Sequence, residues 1–192
     1  MFISKRKEIK HNNRQVEPGY CSPILLSNVF NDQEYYDIYL KDERFFGSGD
    51  EEWKEMIGRK FPELELHDVL YINQCFGNGG FSNLLVDQVV KTPIEVDPTE
   101  ELPIFYYFLT VKRVMGVGDV WHSVAILNVG GTLWYSDPYN ESMYTFDSAL
   151  DLAWSKCHRI QTLFNKEDGK FAFLRGDVVF GSRVISQLRN ES

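Results

Sequence analysis

The sequence is short of cysteine, with three (Cys21, Cys75 and Cys157) in 192 residues. So sparse and odd a set argues against a disulfide framework and for a reducing compartment. Long apolar runs are missing as well. No window approaches the ~20 apolar residues that span a bilayer, and Met1-Phe2-Ile3-Ser4 runs straight into the charges of Lys5-Arg6-Lys7, unlike a secretory leader. A soluble, cytoplasmic protein is expected, with delivery into a host or export without a leader as the other routes. Positive charge is scarce: 20 Lys and Arg against 28 Asp and Glu give a net charge of −8. That argues against a nucleic-acid binder working through phosphates. The four histidines and three cysteines show no zinc-ligand spacing. The glycine-rich stretch Cys75-Phe76-Gly77-Asn78-Gly79-Gly80 lacks the Gly-Lys-Ser/Thr of a phosphate cradle. No metal or organic cofactor is implied.

What is present is a core. Hydrophobic residues make up 43% of the chain and aromatics 15%, enough for one folded domain of this length. Residues 1–14 read as a flexible basic arm and residues 15–192 as a single domain. Its first part, to about residue 100, has helical signals: Ser22 to Phe30, Gln33 to Lys41, Ser48 to Lys60 and Ser82 to Val90. From about 101 to 189 the pattern turns to strands. Ile104 to Val114 is a β run rich in Phe and Tyr, and a hairpin turns at Gly130-Gly131. A short helix is expected over Ser148 to His158, then strands over Lys170 to Leu174 and Val178 to Phe180. Helices first and sheet second make the expected fold class α+β.

The chemistry centres on Cys21. Pro18 and Gly19 make the preceding stretch a loop, and Pro23 suits a first helical turn, where its missing N–H is no loss. Cys21 therefore stands at a helix N-terminus, whose free N–H groups and dipole favour a thiolate. Gln15 lies six residues earlier, so its amide and the Cys21 N–H can converge as two donors on an oxyanion. Downstream, Trp121-His122 opens one strand and Asp137-Pro138 closes its antiparallel neighbour, which sets His122 beside Asp137 across the ladder. A carboxylate there can hold the imidazole's tautomer while the other ring nitrogen meets a thiol. Asp119 competes as the orienting carboxylate, and Asn140 is a weaker candidate. Tyr20 and Trp121 adjoin these residues and are candidates for lining a substrate cleft. His11 and His67 show no partner.

This ordered set of Gln15, Cys21, His122 and Asp137 resembles the papain-like cysteine peptidase superfamily. The five residues between Gln15 and Cys21, the Cys21-Ser22-Pro23 pattern and the Asp137-Pro138 ending are most similar to bacteriocin-leader peptidases and related bacterial enzymes. Asn78-Gly79-Gly80 is similar to the loop lining papain's substrate cleft. Three features depart from papain: Ser22 stands where an aromatic usually follows the cysteine, the orienting residue is Asp137 where papain has Asn, and the downstream Asn-Ser-Trp-Gly signature is missing. The resemblance implies a helical lobe (about 15–100) packed on an antiparallel β lobe (about 101–189), with the site in the cleft between them. It implies a cysteine peptidase acting on a peptide or isopeptide bond of a protein or peptide substrate, with a Cys21-His122-Asp137 triad and Gln15 as oxyanion donor. An acyltransferase or deamidase, a cell-wall amidopeptidase, and a silent binding or inhibitory protein on the same scaffold are the alternatives.

Overall fold

The computed structural model describes residues 7–71, 102–115, 118–146 and 155–188. Helices α1 (Cys21–Val29), α2 (Glu34–Tyr39), α3 (Asp50–Lys60), α4 (Gly176–Phe180) and α5 (Ser182–Leu188) accompany strands β1 (Glu8–Lys10), β2 (Leu64–Tyr71), β3 (Pro103–Met115), β4 (Gly118–Val129), β5 (Thr132–Ser136), β6 (Ser142–Thr145), β7 (Ser155–Asn165), β8 (Lys170–Phe171) and β9 (Leu174–Arg175). Among the described residues the nine strands form one sheet in the order β1-β6-β5-β4-β3-β7-β2, with β8 on β7 and β9 on β3. Every pairing is antiparallel. The fold is a mixture of helices and antiparallel sheet, of α+β class.

Strand β3 shows how the aromatic run builds the core. Ile104, Tyr106 and Phe108 point to the helical side of the sheet, where they meet Leu25, Val29, Phe30 and Met56. Phe105, Tyr107, Leu109 and Val111 point to the other side and pack with Val124, Ile126, Tyr135 and Phe146. Side chains alternate across a pleat, so apolar residues at every position require both faces to be covered. Helix α1 is buried on all sides from Ser22 to Val29. Its end is fixed by the Tyr106 hydroxyl, which donates to the Val29 carbonyl at 2.9 Å. Phe30, wholly buried, meets the rings of Tyr35, Phe61, Tyr106 and Phe108. Arg159 of β7 fastens α3 to the sheet, its guanidinium donating to Asp68 of β2 and to Asp50 at the start of α3.

Several expectations change. The run Ser148 to His158 was expected as a helix, but from Ser155 onward it is strand β7, because pairing with both β3 and β2 outweighs local helical spacing. Cys157 and His158 therefore stand on a strand. Val178 to Phe180 was expected as a strand and belongs to helix α4, followed by α5, which the sequence did not signal. The stretch from Glu63 to Asn73, ambiguous in sequence with Val69 to Ile72 most strand-like, holds strand β2 over Leu64–Tyr71. Residues 8–14 are no flexible arm: Glu8, Ile9 and Lys10 pair with Tyr144, Met143 and Ser142 of β6. Further along, the Asn13 N–H donates to the Asn28 side chain at 2.9 Å, and that side chain returns a hydrogen bond to the Asn13 carbonyl at 2.9 Å. The expected helix from Ser82 to Val90 and the stretch around Cys75 lie outside the described residues.

Phe30→Ala removes the ring joining α1 to β3, and is expected to destabilise the protein by about 3–5 kcal/mol. Urea unfolding measures this. A loss below about 1 kcal/mol contradicts the packing described.

Candidate active site

Three of the residues singled out in the sequence meet at one point. Cys21 is the first residue of α1. His122 stands early on β4, and Asp137 directly follows the last residue of β5. The pairing of β4 with β5 ends at Ala125 and Ser136. Continuing that register puts Asp137 opposite Val124, so Asp137 is a diagonal neighbour of His122 and not its direct opposite. The carboxylate nevertheless reaches the ring: His122 Nε2 and Asp137 Oδ1 are 2.8 Å apart, with the side chains 3% and 1% exposed. Asp137 is held in turn by the Tyr139 N–H, which donates to Oδ1 at 2.9 Å, and by the Tyr135 hydroxyl, which donates to Oδ2 at 3.4 Å. With Nε2 engaged, Nδ1 is the nitrogen left to act on the Cys21 thiol, and the two groups raise the ring's pKa and lower the thiol's.

Pro138 decides why the sulfur can reach this spot. In the continued register Pro138 would face Ser123, yet it has no N–H, and its carbonyl accepts from the Gln15 N–H at 2.7 Å. The ladder stops there. The Ser123 N–H is left to the Cys21 sulfur, as is the Ser123 hydroxyl, which also meets the Ser22 hydroxyl at 3.2 Å. Burial pushes the Cys21 thiol's pKa up, but the His122 hydrogen bond and charge together with the Ser123 contacts outweigh it, and the net shift is downward. Burial likewise pushes His122 down, while Asp137 and Cys21 raise it to about 8. Cys157 is the contrast: buried without such partners, its thiol is pushed up to about 12.

The segment before the helix is strapped to the turn that carries Asp137. The His11 N–H donates to the Glu141 carbonyl at 2.8 Å, and Arg14 Nε donates to the Tyr139 carbonyl at 3.0 Å. The His11 ring, for which the sequence offered no partner, sits between the Asn140 carbonyl and the Ser136 hydroxyl, each at 2.9 Å. Burial holds its pKa below the ordinary value, so the neutral ring donates from Nδ1 and accepts at Nε2. His67 is also partnered, by Glu65 and by stacking on Phe164.

Gln15 is buried at 2% exposure. Its Nε2 donates to the Glu17 carbonyl at 3.0 Å, while its Oε1 is buried with no hydrogen-bond partner. Two residues before Cys21, Gly19 has φ +118°, and the Phe46 ring lies where a side chain at Gly19 would sit. Tyr20 meets that ring edge-on at 5.4 Å. Trp121 is 58% exposed and meets His158 at 4.7 Å. Asn78, Gly79 and Gly80 lie outside the described residues. Asp119 precedes His122 on β4, and the carboxylate bonded to His122 is that of Asp137.

Tyr139, which the sequence already places at the flank of the site, lies with its ring 5.0 Å from that of His122. Sequence reasoning missed the parts played by Ser22, Ser123 and His11, the last because its partner Ser136 is 125 residues away. Among the described residues no cluster of His, Cys, Asp or Glu could hold a metal ion, and no helix is long and apolar enough to cross a membrane. The chain matches no protein-family model, and no curated protein matches it at a significant level.

Asp137→Asn removes the charge that keeps the His122 ring protonated, while burial continues to disfavour it. The His122 pKa is expected to fall from about 8 to its ordinary value of ~6.5 or below, read from the ring-proton resonances by NMR. An unchanged titration contradicts the electrostatics described.

Proposed function

We propose that the protein is a papain-like cysteine peptidase that cleaves a peptide or isopeptide bond. One observation carries the reading: a buried imidazole bonded to a carboxylate and set beside a cysteine at the first position of a helix, so that ring and thiol each favour the charged form of the other. A cysteine placed only for packing needs none of these partners, as Cys157 illustrates.

In the proposed reaction the Cys21 thiolate attacks the acyl carbon, and the carbonyl electron pair moves onto oxygen. The Cys21 N–H, first in α1, stabilises that oxyanion together with the Gln15 Nε2 hydrogen not engaged by Glu17. As the tetrahedral intermediate collapses, His122 gives its proton to the departing amine, and the acyl group stays on sulfur. A water molecule then loses a proton to His122 and attacks the thioester, releasing the acid and restoring the thiolate beside the protonated ring. Asp137 keeps the ring oriented and stabilises its charged form throughout. An acyltransferase would use an amine in place of water, and a deamidase a side-chain amide, on the same four residues. A cell-wall amidopeptidase has less use for an upstream Gln donor, so loss of peptidase activity in Gln15→Ala favours the papain-like reading.

The signs of the shifts set the pH dependence. Cys21 is lowered and His122 raised, so thiolate and imidazolium coexist in a window reaching up to about pH 8, where loss of the ring proton closes it. Iodoacetamide alkylation between about pH 4 and 9, mapped by mass spectrometry, is expected to modify Cys21 rapidly below the ~8.5 of an ordinary thiol, with Cys157 protected. His122→Ala should abolish that reactivity at low pH. A Cys21 no faster than a free thiol contradicts the peptidase reading and leaves the binding-protein alternative.

A further inference from the structure

The contacts of Cys21 include a group that a Cys-His-Asp reading leaves unused. Ser123 follows His122 on β4, so its side chain points to the opposite face of the strand, the face against which α1 packs. Ser22, buried beside Cys21 in the first turn of α1, meets the Ser123 hydroxyl at 3.2 Å. A hydroxyl carries one proton and two lone pairs. If Ser22 donates, Ser123 accepts with one lone pair and keeps its proton for the sulfur. A chain of this kind polarises each bond toward the anion at its end.

The main-chain geometry points the same way. Because the β4–β5 pairing ends at Ala125 and Ser136 and the Pro138 carbonyl is taken by Gln15, the Ser123 N–H has no β5 partner, and it helps to hold the Cys21 thiol's pKa down. We propose that Ser123 is a positioning residue of this site, whose hydroxyl, oriented by Ser22, and main-chain N–H hold the Cys21 sulfur beside His122 and stabilise it as the thiolate. This rests on the thiol chemistry proposed above. It adds a donor pair to the imidazole, and both favour the thiolate. Among the described residues, His122 is the charged group acting on Cys21, with Asp137 behind it; α1 has no acidic residue in its first turn.

The alternative is a plain staple between helix and strand, in which the two hydroxyls satisfy each other and the sulfur gains nothing. The rate of Cys21 alkylation against pH separates the two, measured on the wild-type protein and on Ser123→Ala, Ser123→Thr and Ser22→Ala, with thermal unfolding of each followed in parallel. In Ser123→Ala the acidic limb is expected to move up by roughly 1–2 pH units, the scale of one hydrogen bond to a charged group. Ser22→Ala should move it the same way by less, and supplies the test should Ser123→Ala not fold. Ser123→Thr keeps the hydroxyl and suits a strand, so its limb should coincide with that of the wild type. The proposal is overturned if Ser123→Ala leaves the limb in place, or if Ser123→Thr shifts it equally, since packing alone would then explain the effect. A wild-type Cys21 that fails to react below pH 7 instead removes the thiolate itself, and the peptidase reading fails with it.

Discussion

The imidazole of His122 is almost entirely out of water, and burial alone would keep such a ring neutral. It is raised to about 8 because Asp137 lies 2.8 Å from one nitrogen and Cys21 occupies the other. An unpaired charge in this place would be strongly destabilising. Most of the architecture around it serves to hold that pair of contacts. Tyr135 and Tyr139 satisfy the Asp137 carboxylate, and the β4–β5 hairpin sets its height on the sheet.

The end of strand β5 is where fold and chemistry join. Asp137-Pro138 stops the ladder one residue after Ser136, and the main-chain groups left over are all put to use. The Pro138 carbonyl receives the Gln15 N–H, and the Asp137 carbonyl receives the Asn140 N–H in the turn. The Ser123 N–H turns to the Cys21 sulfur. A continued strand would occupy the place where α1 begins. The chain before α1 takes that place and is itself pinned to the 136–141 turn by His11 and Arg14.

Much of this was legible in the sequence where the signal is local. The start of α1 followed from Pro18, Gly19 and Pro23, and the hairpin followed from Gly130-Gly131 between alternating apolar runs. That hairpin alone brings His122 near Asp137. Distant pairings were not legible. Nothing local tells that Glu8–Lys10 joins β6, or that Ser155–Asn165 lies between β3 and β2; the apolar residues of the latter suit a helix or a buried strand equally well. Ser123 was hidden for another reason: its role depends on a ladder bond that is not made, and sequence patterns report bonds that are made. The engagement of the Gln15 amide with Glu17 was also beyond reach, since the spacing to Cys21 fixes the reach of the side chain but not its direction.

The central claim is that Cys21 carries an acyl group. Intact-protein mass spectrometry during reaction with a small panel of peptide thioesters tests it most directly. The account predicts a transient acyl adduct on Cys21 that hydroxylamine removes, and that does not form in His122→Ala. An absence of any adduct, or acylation of Cys75 or Cys157 at the same rate, would contradict it.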